Sequence, residues 1–144
     1  MSECQAHRAP FNAMAEPTVL HTGSCHCGDV RFQFRSSADL IGWDCNCSIC
    51  AMKRNVHAII PEADFECTRG KDVLQQYTFN TGVAKHLFCK RCGVTPFYRP
   101  RSNPFHYAVT IACIDPGSIQ TLVVRKVDGQ NWEKAVPACG IQDL

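Results

Sequence analysis

Cys89-Lys90-Arg91-Cys92-Gly93 is the stretch on which the reading of this chain turns. A C-x-x-C turn lets two thiolates reach one metal ion at about 2.3 Å each. Gly93 follows where the backbone must turn tightly and take positive φ. Lys90 and Arg91 supply positive charge beside the sulfurs. A redox C-x-x-C would need a strand–helix–strand setting, which the flanking residues do not offer. Two thiolates fill half of a tetrahedron. Cys25-His26-Cys27-Gly28, a second close pair followed by glycine, is the natural other half. A closed Cys25, Cys27, Cys89, Cys92 site would clamp early strands to late ones. Such sites contribute folding free energy on the order of 10 kcal/mol.

Between these halves stands Cys45-Asn46-Cys47-Ser48-Ile49-Cys50. Three thiolates from one short segment leave one corner of a tetrahedral ion free for water or substrate, the arrangement of catalytic zinc. A distant fourth ligand would close the site instead, and His57, His86, Cys67 and Cys113 are the candidates. Ligand arithmetic alone leaves the two readings level. The cysteine runs of a [4Fe–4S] centre are absent. Cys67, Cys113 and Cys139 read as plain thiols, His21 and His106 as surface or pairing residues, and Trp43 and Trp132 as packing residues.

Composition agrees with metal rather than disulfides. Eleven cysteines in 144 residues is an odd number, mostly in pairs too close for local bridges. No secretory signal opens the sequence, so a cytoplasmic or nuclear location is expected. Hydrophobic residues make up 45%, enough for one packed core. A net charge of +2 argues against nucleic acid as the main partner. No run of about 20 apolar residues could span a bilayer.

The hydropathy pattern is that of a mainly β chain. Strands are expected over Thr18–Ser24, Asp29–Phe34, Leu40–Trp43, Val56–Ile60, Phe65–Thr68 and Val73–Phe79. Further strands are expected over Ala84–Phe88, Thr95–Tyr98, Tyr107–Ala112 and Gln120–Lys126. Short strands at this spacing predict stacked antiparallel sheets. Helix is confined to Cys47–Met52 and to Asn131–Val136, with Asn131 as cap and Pro137 as terminator. The stiff, basic loop Thr95–Pro104, with Arg99, Arg101, Ser102 and Asn103, is a candidate wall for a site. The domain is expected over residues 20–136, flanked by tails at 1–19 and 137–144.

These motifs, in this order, resemble the glutathione-dependent formaldehyde-activating enzyme (Gfa) or centromere protein V domain family. The resemblance rests on Gly23-Ser24-Cys25-His26-Cys27-Gly28, on Asp44 to Cys50, on Tyr77-Thr78-Phe79-Asn80-Thr81, on Phe88 to Val94 and on Phe97 to Pro104. It runs from Leu20 to Glu133 and is closest to the centromere-protein-V-like branch. It implies an Mss4-like fold with two zinc ions: a structural one on Cys25, Cys27, Cys89 and Cys92, and a catalytic-type one on Cys45, Cys47 and Cys50. It also implies a carbon–sulfur lyase-type activity that joins glutathione to formaldehyde as S-hydroxymethylglutathione. By charge and position, Lys53, Arg99 and Arg101 are the candidates for holding glutathione's carboxylates. The competing expectation is a non-catalytic, zinc-stabilised module with a protein, chromatin or cytoskeletal partner.

Overall fold

The computed structural model describes residues 17–144. Most of the expected N-terminal tail, with Cys4, His7 and Pro10, lies outside the described residues. Strands β1 (Val19–Ser24), β2 (Arg31–Ser36) and β5 (Phe65–Arg69) form a three-stranded antiparallel sheet. Strands β3 (Asp39–Cys45), β4 (Val56–Pro61), β8 (Phe97–Tyr98), β9 (His106–Thr110) and β10 (Thr121–Val127) form a five-stranded sheet in the order β10-β3-β4-β9-β8. Strands β6 (Leu74–Tyr77) and β7 (His86–Cys89) make a separate antiparallel pair. The chain is mainly β, as its hydropathy pattern predicts.

Alternation along the five-stranded sheet creates two cores, because successive side chains point to opposite faces. Leu40, Ala58, Ile60, Phe97 and Val109 face one way and pack with Val30, Phe32 and Phe34 of the smaller sheet. Trp43, Ile59, Tyr98 and Ala108 face the other way and pack with Val127, Val136 and Ile141. Each large buried apolar side chain contributes roughly 1.5–3 kcal/mol. In the first core Phe32 meets Phe97 edge-on at 5.8 Å, and Phe65 stacks on Tyr107 at 4.2 Å. His21, expected at the surface or in a pair, is fully buried at this core's edge. It lies 2.7 Å from Ser118 Oγ and stacks on Phe34.

One ladder departs from the antiparallel expectation. β10 runs parallel to β3, with Thr121 opposite Asp39 and Val127 opposite Cys45. Both strands therefore end at the same edge, and the chain leaving β10 arrives beside Cys45.

The helices are short, as expected. Helix α1 (Ser48–Lys53) ends at Arg54, which takes the left-handed conformation at φ 55°. Helix α2 (Trp132–Ala138) differs from the sequence reading at both ends. Asn131 makes no side-chain cap; its Nδ2 donates to Asp128 Oδ2 at 2.8 Å instead. Pro137 lies inside the helix rather than terminating it. In so short a helix the missing N–H forfeits a single bond, and the Cys139 amide still bonds the Ala135 carbonyl at 3.1 Å. The expected tail 137–144 packs against the domain. Ile141 is buried in the second core, and its carbonyl accepts a bond from Asn103 Nδ2 at 3.1 Å.

Candidate metal centres and active site

The first centre is built from two matching turns. In one, the Cys25 amide bonds the Val30 carbonyl; in the other, the Cys89 amide bonds the Val94 carbonyl. Each turn is completed by a glycine at positive φ, Gly28 at 84° and Gly93 at 77°. A side chain with a Cβ would strain both positions. The first turn joins β1 to β2 and the second follows β7, so the thiols of Cys25, Cys27, Cys89 and Cys92 meet between the three-stranded and two-stranded sheets. All four sulfurs lie within 4.8 Å of one another. Cys25 Sγ to Cys27 Sγ is 3.6 Å and Cys27 Sγ to Cys89 Sγ is 3.7 Å. A tetrahedral ion with metal–sulfur bonds of about 2.3 Å requires edges of about 3.8 Å. The donor set and its dimensions therefore fit a closed zinc site. The Val30 amide donates to Cys25 Sγ at 3.3 Å, spreading the sulfur's negative charge.

The second centre sits on the opposite face of the five-stranded sheet. Cys45 ends β3, Cys47 precedes α1 and Cys50 lies one turn into it, which brings three sulfurs within 4.8 Å of one another. Among the described residues no fourth histidine, cysteine or carboxylate joins them. The four candidates for closing the set are engaged elsewhere. His57 is buried, with Nε2 3.2 Å from the Tyr98 hydroxyl. His86 stacks between Phe79 and Tyr98. Cys67 lies on β5, and Cys113 packs against the first core with its thiol toward the Thr95 carbonyl. The three-thiol set fits a metal with one open corner. Without metal the thiols share charge unevenly. Cys47 is drawn down to about 2, first by Cys45 and Cys50, which donate to its sulfur, and then by the amides of Cys50 and Ile49. Cys45 is pushed up by Cys47, and Cys50 far up by Cys45 and Cys47. Loading a cation there must displace the protons that Cys45 and Cys50 retain.

These thiols line a cavity of about 570 Å³, within the size range of small-molecule sites. Tyr98, whose hydroxyl is 3.8 Å from Cys50 Sγ, and His57 line its inner side. Trp132, Glu133, Val136 and Ile141 wall it from the C-terminal segment. The indole N–H of buried Trp43, also in its lining, finds no partner among the described residues.

The backbone of Gly129 presses on the thiols. A Cβ added there would stand 2.5 Å from Cys45 Sγ and 2.7 Å from Cys47 Cβ. Asn46, between the two cysteines, holds this loop in place. Its Nδ2 donates to Asp128 Oδ1, and its Oδ1 accepts from the Gln130 amide, both at 3.1 Å. Sequence reasoning gave no role to Asn46 or Gly129, because their use depends on the parallel β10–β3 pairing.

The three cations expected to face a substrate are separated. Arg101 lines the thiol cavity, with its guanidinium 3.7 Å above the Trp132 ring and 2.6 Å from Glu133 Oε1. Arg99 faces elsewhere, paired with Glu62 and bonded to the Tyr107 hydroxyl at 3.0 Å. Lys53 donates to Thr95 Oγ1 at 2.7 Å and lines a different cavity.

Fold and centres together define a mainly β chain carrying two thiol clusters of metal-binding dimensions, one enclosed and one opening on a cavity. The profile of the glutathione-dependent formaldehyde-activating enzyme family matches residues 20–129. The crystal structure of a Rhodobacter sphaeroides protein is similar, with 30% identity and a TM-score of 0.60 over 72% of this chain and 99% of that one. The chain belongs to the glutathione-dependent formaldehyde-activating enzyme family.

Proposed function

We propose that the chain is a zinc-dependent enzyme of the carbon–sulfur lyase type that forms S-hydroxymethylglutathione from glutathione and formaldehyde. The observation that carries this reading is the convergence of Cys45, Cys47 and Cys50, with no fourth protein ligand among the described residues, on a cavity that also presents Arg101. Cys45, Cys47 and Cys50 would hold a zinc ion, which would supply a Lewis acid that favours the thiolate form of a thiol.

The chain's own residues do the rest. Arg101, kept planar against Trp132, takes a carboxylate of the tripeptide in a bidentate grip. Tyr98, fixed by His57, holds Cys50 in place from behind. Trp132, Val136 and Ile141 exclude water around the reacting atoms. In the reaction the sulfur lone pair forms the C–S bond, the carbonyl π pair moves to oxygen, and the proton lost by the thiol ends on the new hydroxyl. Nothing is oxidised or reduced. Formaldehyde adds to thiols unaided, so the barrier to be lowered is small and positioning carries much of the effect.

A set of three thiols with no fourth ligand among the described residues also weighs against the alternative of a purely structural module with a protein, chromatin or cytoskeletal partner, for which four protein ligands would serve better. A location in the cytoplasm, where thiols stay reduced, belongs to this proposal. Kinship with the centromere-protein-V-like branch is part of the same proposal. The test is an exchange measurement between glutathione, formaldehyde and adduct by NMR, with and without zinc-loaded protein. Faster exchange with protein, lost on Cys47→Ser, is expected; a rate equal to buffer removes the activity.

A further inference from the structure

The five-stranded sheet ends on one side at β10, and that edge is open. β10 pairs with β3 alone, and among the described residues no other strand bonds its outer side. Its middle is apolar: Leu122, Val123 and Val124 are 41%, 54% and 48% exposed. The strand has no proline, glycine or register shift to interrupt pairing. An unbroken apolar edge over Thr121–Val127 is a template for another strand. The Val127 carbonyl accepts the Asn46 amide on the β3 side, so alternation turns the backbone groups of Leu122, Val124 and Lys126 outward. Two charges beside the edge are also unspent. Neither Arg125 nor Asp39 has an ion-pair partner among the described residues. Asp39 stands opposite Thr121 on β3, and one of its carboxylate oxygens accepts that residue's hydroxyl at 2.7 Å.

The occupant that fits this edge is the edge itself. We propose that two copies of the chain pair through β10, antiparallel about a two-fold axis, with Val123 on the axis. An axis perpendicular to the sheet keeps each face on its own side, so opposed residues are both odd or both even in number. Two registers then keep the apolar middle at the axis. Centring on Val124 sets Leu122 against Lys126 and Val123 against Arg125. Centring on Val123 sets it against its own copy, and the outward backbone groups of Leu122 bond those of Val124 twice over. Arg125 then stands opposite Thr121, with Asp39 of the second copy on the next strand. That is about 10 Å across two strand spacings, which an arginine and an aspartate side chain span together. Symmetry makes the contact twice. Apolar meets apolar and cation meets anion only in this register. The paired edge is short beside a standard interface, so a Kd on the order of 10–100 µM is expected. The inference is independent of the activity proposed for the thiol cavity.

The experiment follows the mass of the full, zinc-loaded chain by sedimentation velocity in reductant, from about 5 µM to about 1 mM. The mass is expected to rise from one chain to two across this range. The Leu122 and Val124 amides are expected to gain protection from hydrogen exchange as concentration rises. Val123→Lys places two lysines about 5 Å apart across the axis and should weaken the dimer by about tenfold or more. Arg125→Glu sets like charges together and should weaken it by roughly tenfold; adding Asp39→Arg should restore the parent affinity. Should Val123→Lys fail to fold, the charge exchange and the amide protection on the unaltered chain still decide. A chain that stays monomeric throughout would overturn the assignment. So would a dimer indifferent to these variants, or β10 amides protected equally at every concentration, as when another part of the same chain covers the edge.

Discussion

Gly129→Ala is the most searching single substitution. Gly129 has no positive φ to protect, so the effect is steric alone. The new methyl would stand 2.5 Å from Cys45 Sγ, 2.7 Å from Cys47 Cβ and 3.0 Å from the Cys47 nitrogen. Non-bonded carbon contacts are comfortable at about 3.5–4.0 Å, so roughly 1 Å of relief is needed on two sides. The Gly129 side yields little, because Asn46 ties both Asp128 and Gln130. The Cys45 sulfur therefore moves. Metal sites tolerate errors of about 0.2 Å in ligand distance, so a shift of this size spoils the second centre. Overpacking costs about 1–3 kcal/mol, a factor of roughly 5–150 in metal affinity if the site absorbs it. The assay is competition with a chromophoric chelator, reading zinc retained per chain. The first centre, in the other core, should keep its ion while the second releases it at lower chelator. Gly82→Ala is the control: its Cβ meets nothing within 4 Å, and only its φ of 73° is strained. If Gly129→Ala holds its second ion as tightly as the parent chain, the loop is pliable and the rigid-wall argument is wrong.

The other expectations concern single interactions. Cys92→Ser opens the enclosed centre, whose worth on the order of 10 kcal/mol rivals the whole stability of a domain, so dispersed NMR signals should collapse. Glu133→Gln releases Arg101 from its 2.6 Å ion pair while leaving Trp132 beneath it; KM for glutathione should fall with kcat little changed, and an unchanged KM would remove Arg101 from substrate binding. Asn46→Ala frees the Gly129 loop and should quicken zinc loss from the second centre, measured by the same competition, with the first unaffected. Burial holds the His57 imidazole down at about 4, from an ordinary 6.5. The unfolded chain then binds the extra proton first as pH falls, so stability present above pH 6.5 is lost down to about pH 4, by about 3 kcal/mol. Urea titrations at pH 7.5 and 5 should show a shallower loss for His57→Gln than for the parent chain.

The thiol clusters were legible because chelation is encoded locally: spacing and a following glycine define each turn, whatever surrounds it. Strand positions were legible for a similar reason, since alternation is a property of neighbouring residues. What escaped was set by partners distant in sequence. Hydropathy marks Gln120–Lys126 as a strand but carries no information on whether its neighbour runs parallel. Without that, Gly129 could not be placed against Cys45. Lys53, Arg99 and Arg101 look alike as cations near motifs. Glu62 and Tyr107 claim one, Thr95 another, and only Arg101 reaches the cavity. Pro137 reads as a stop signal because proline lacks the N–H a helix needs, whereas Val136 and Ile141 have a core to enter and offset one lost bond.

The family profile ends at residue 129, yet Gln130, Trp132, Glu133, Val136 and Ile141 all contribute to the thiol cavity. The cavity's floor of three sulfurs is thus laid by residues inside the matched span, while part of its roof comes from residues beyond it. Substitutions at Trp132, Glu133, Val136 or Ile141 should therefore reshape the room above the sulfurs while leaving Cys45, Cys47 and Cys50 in place.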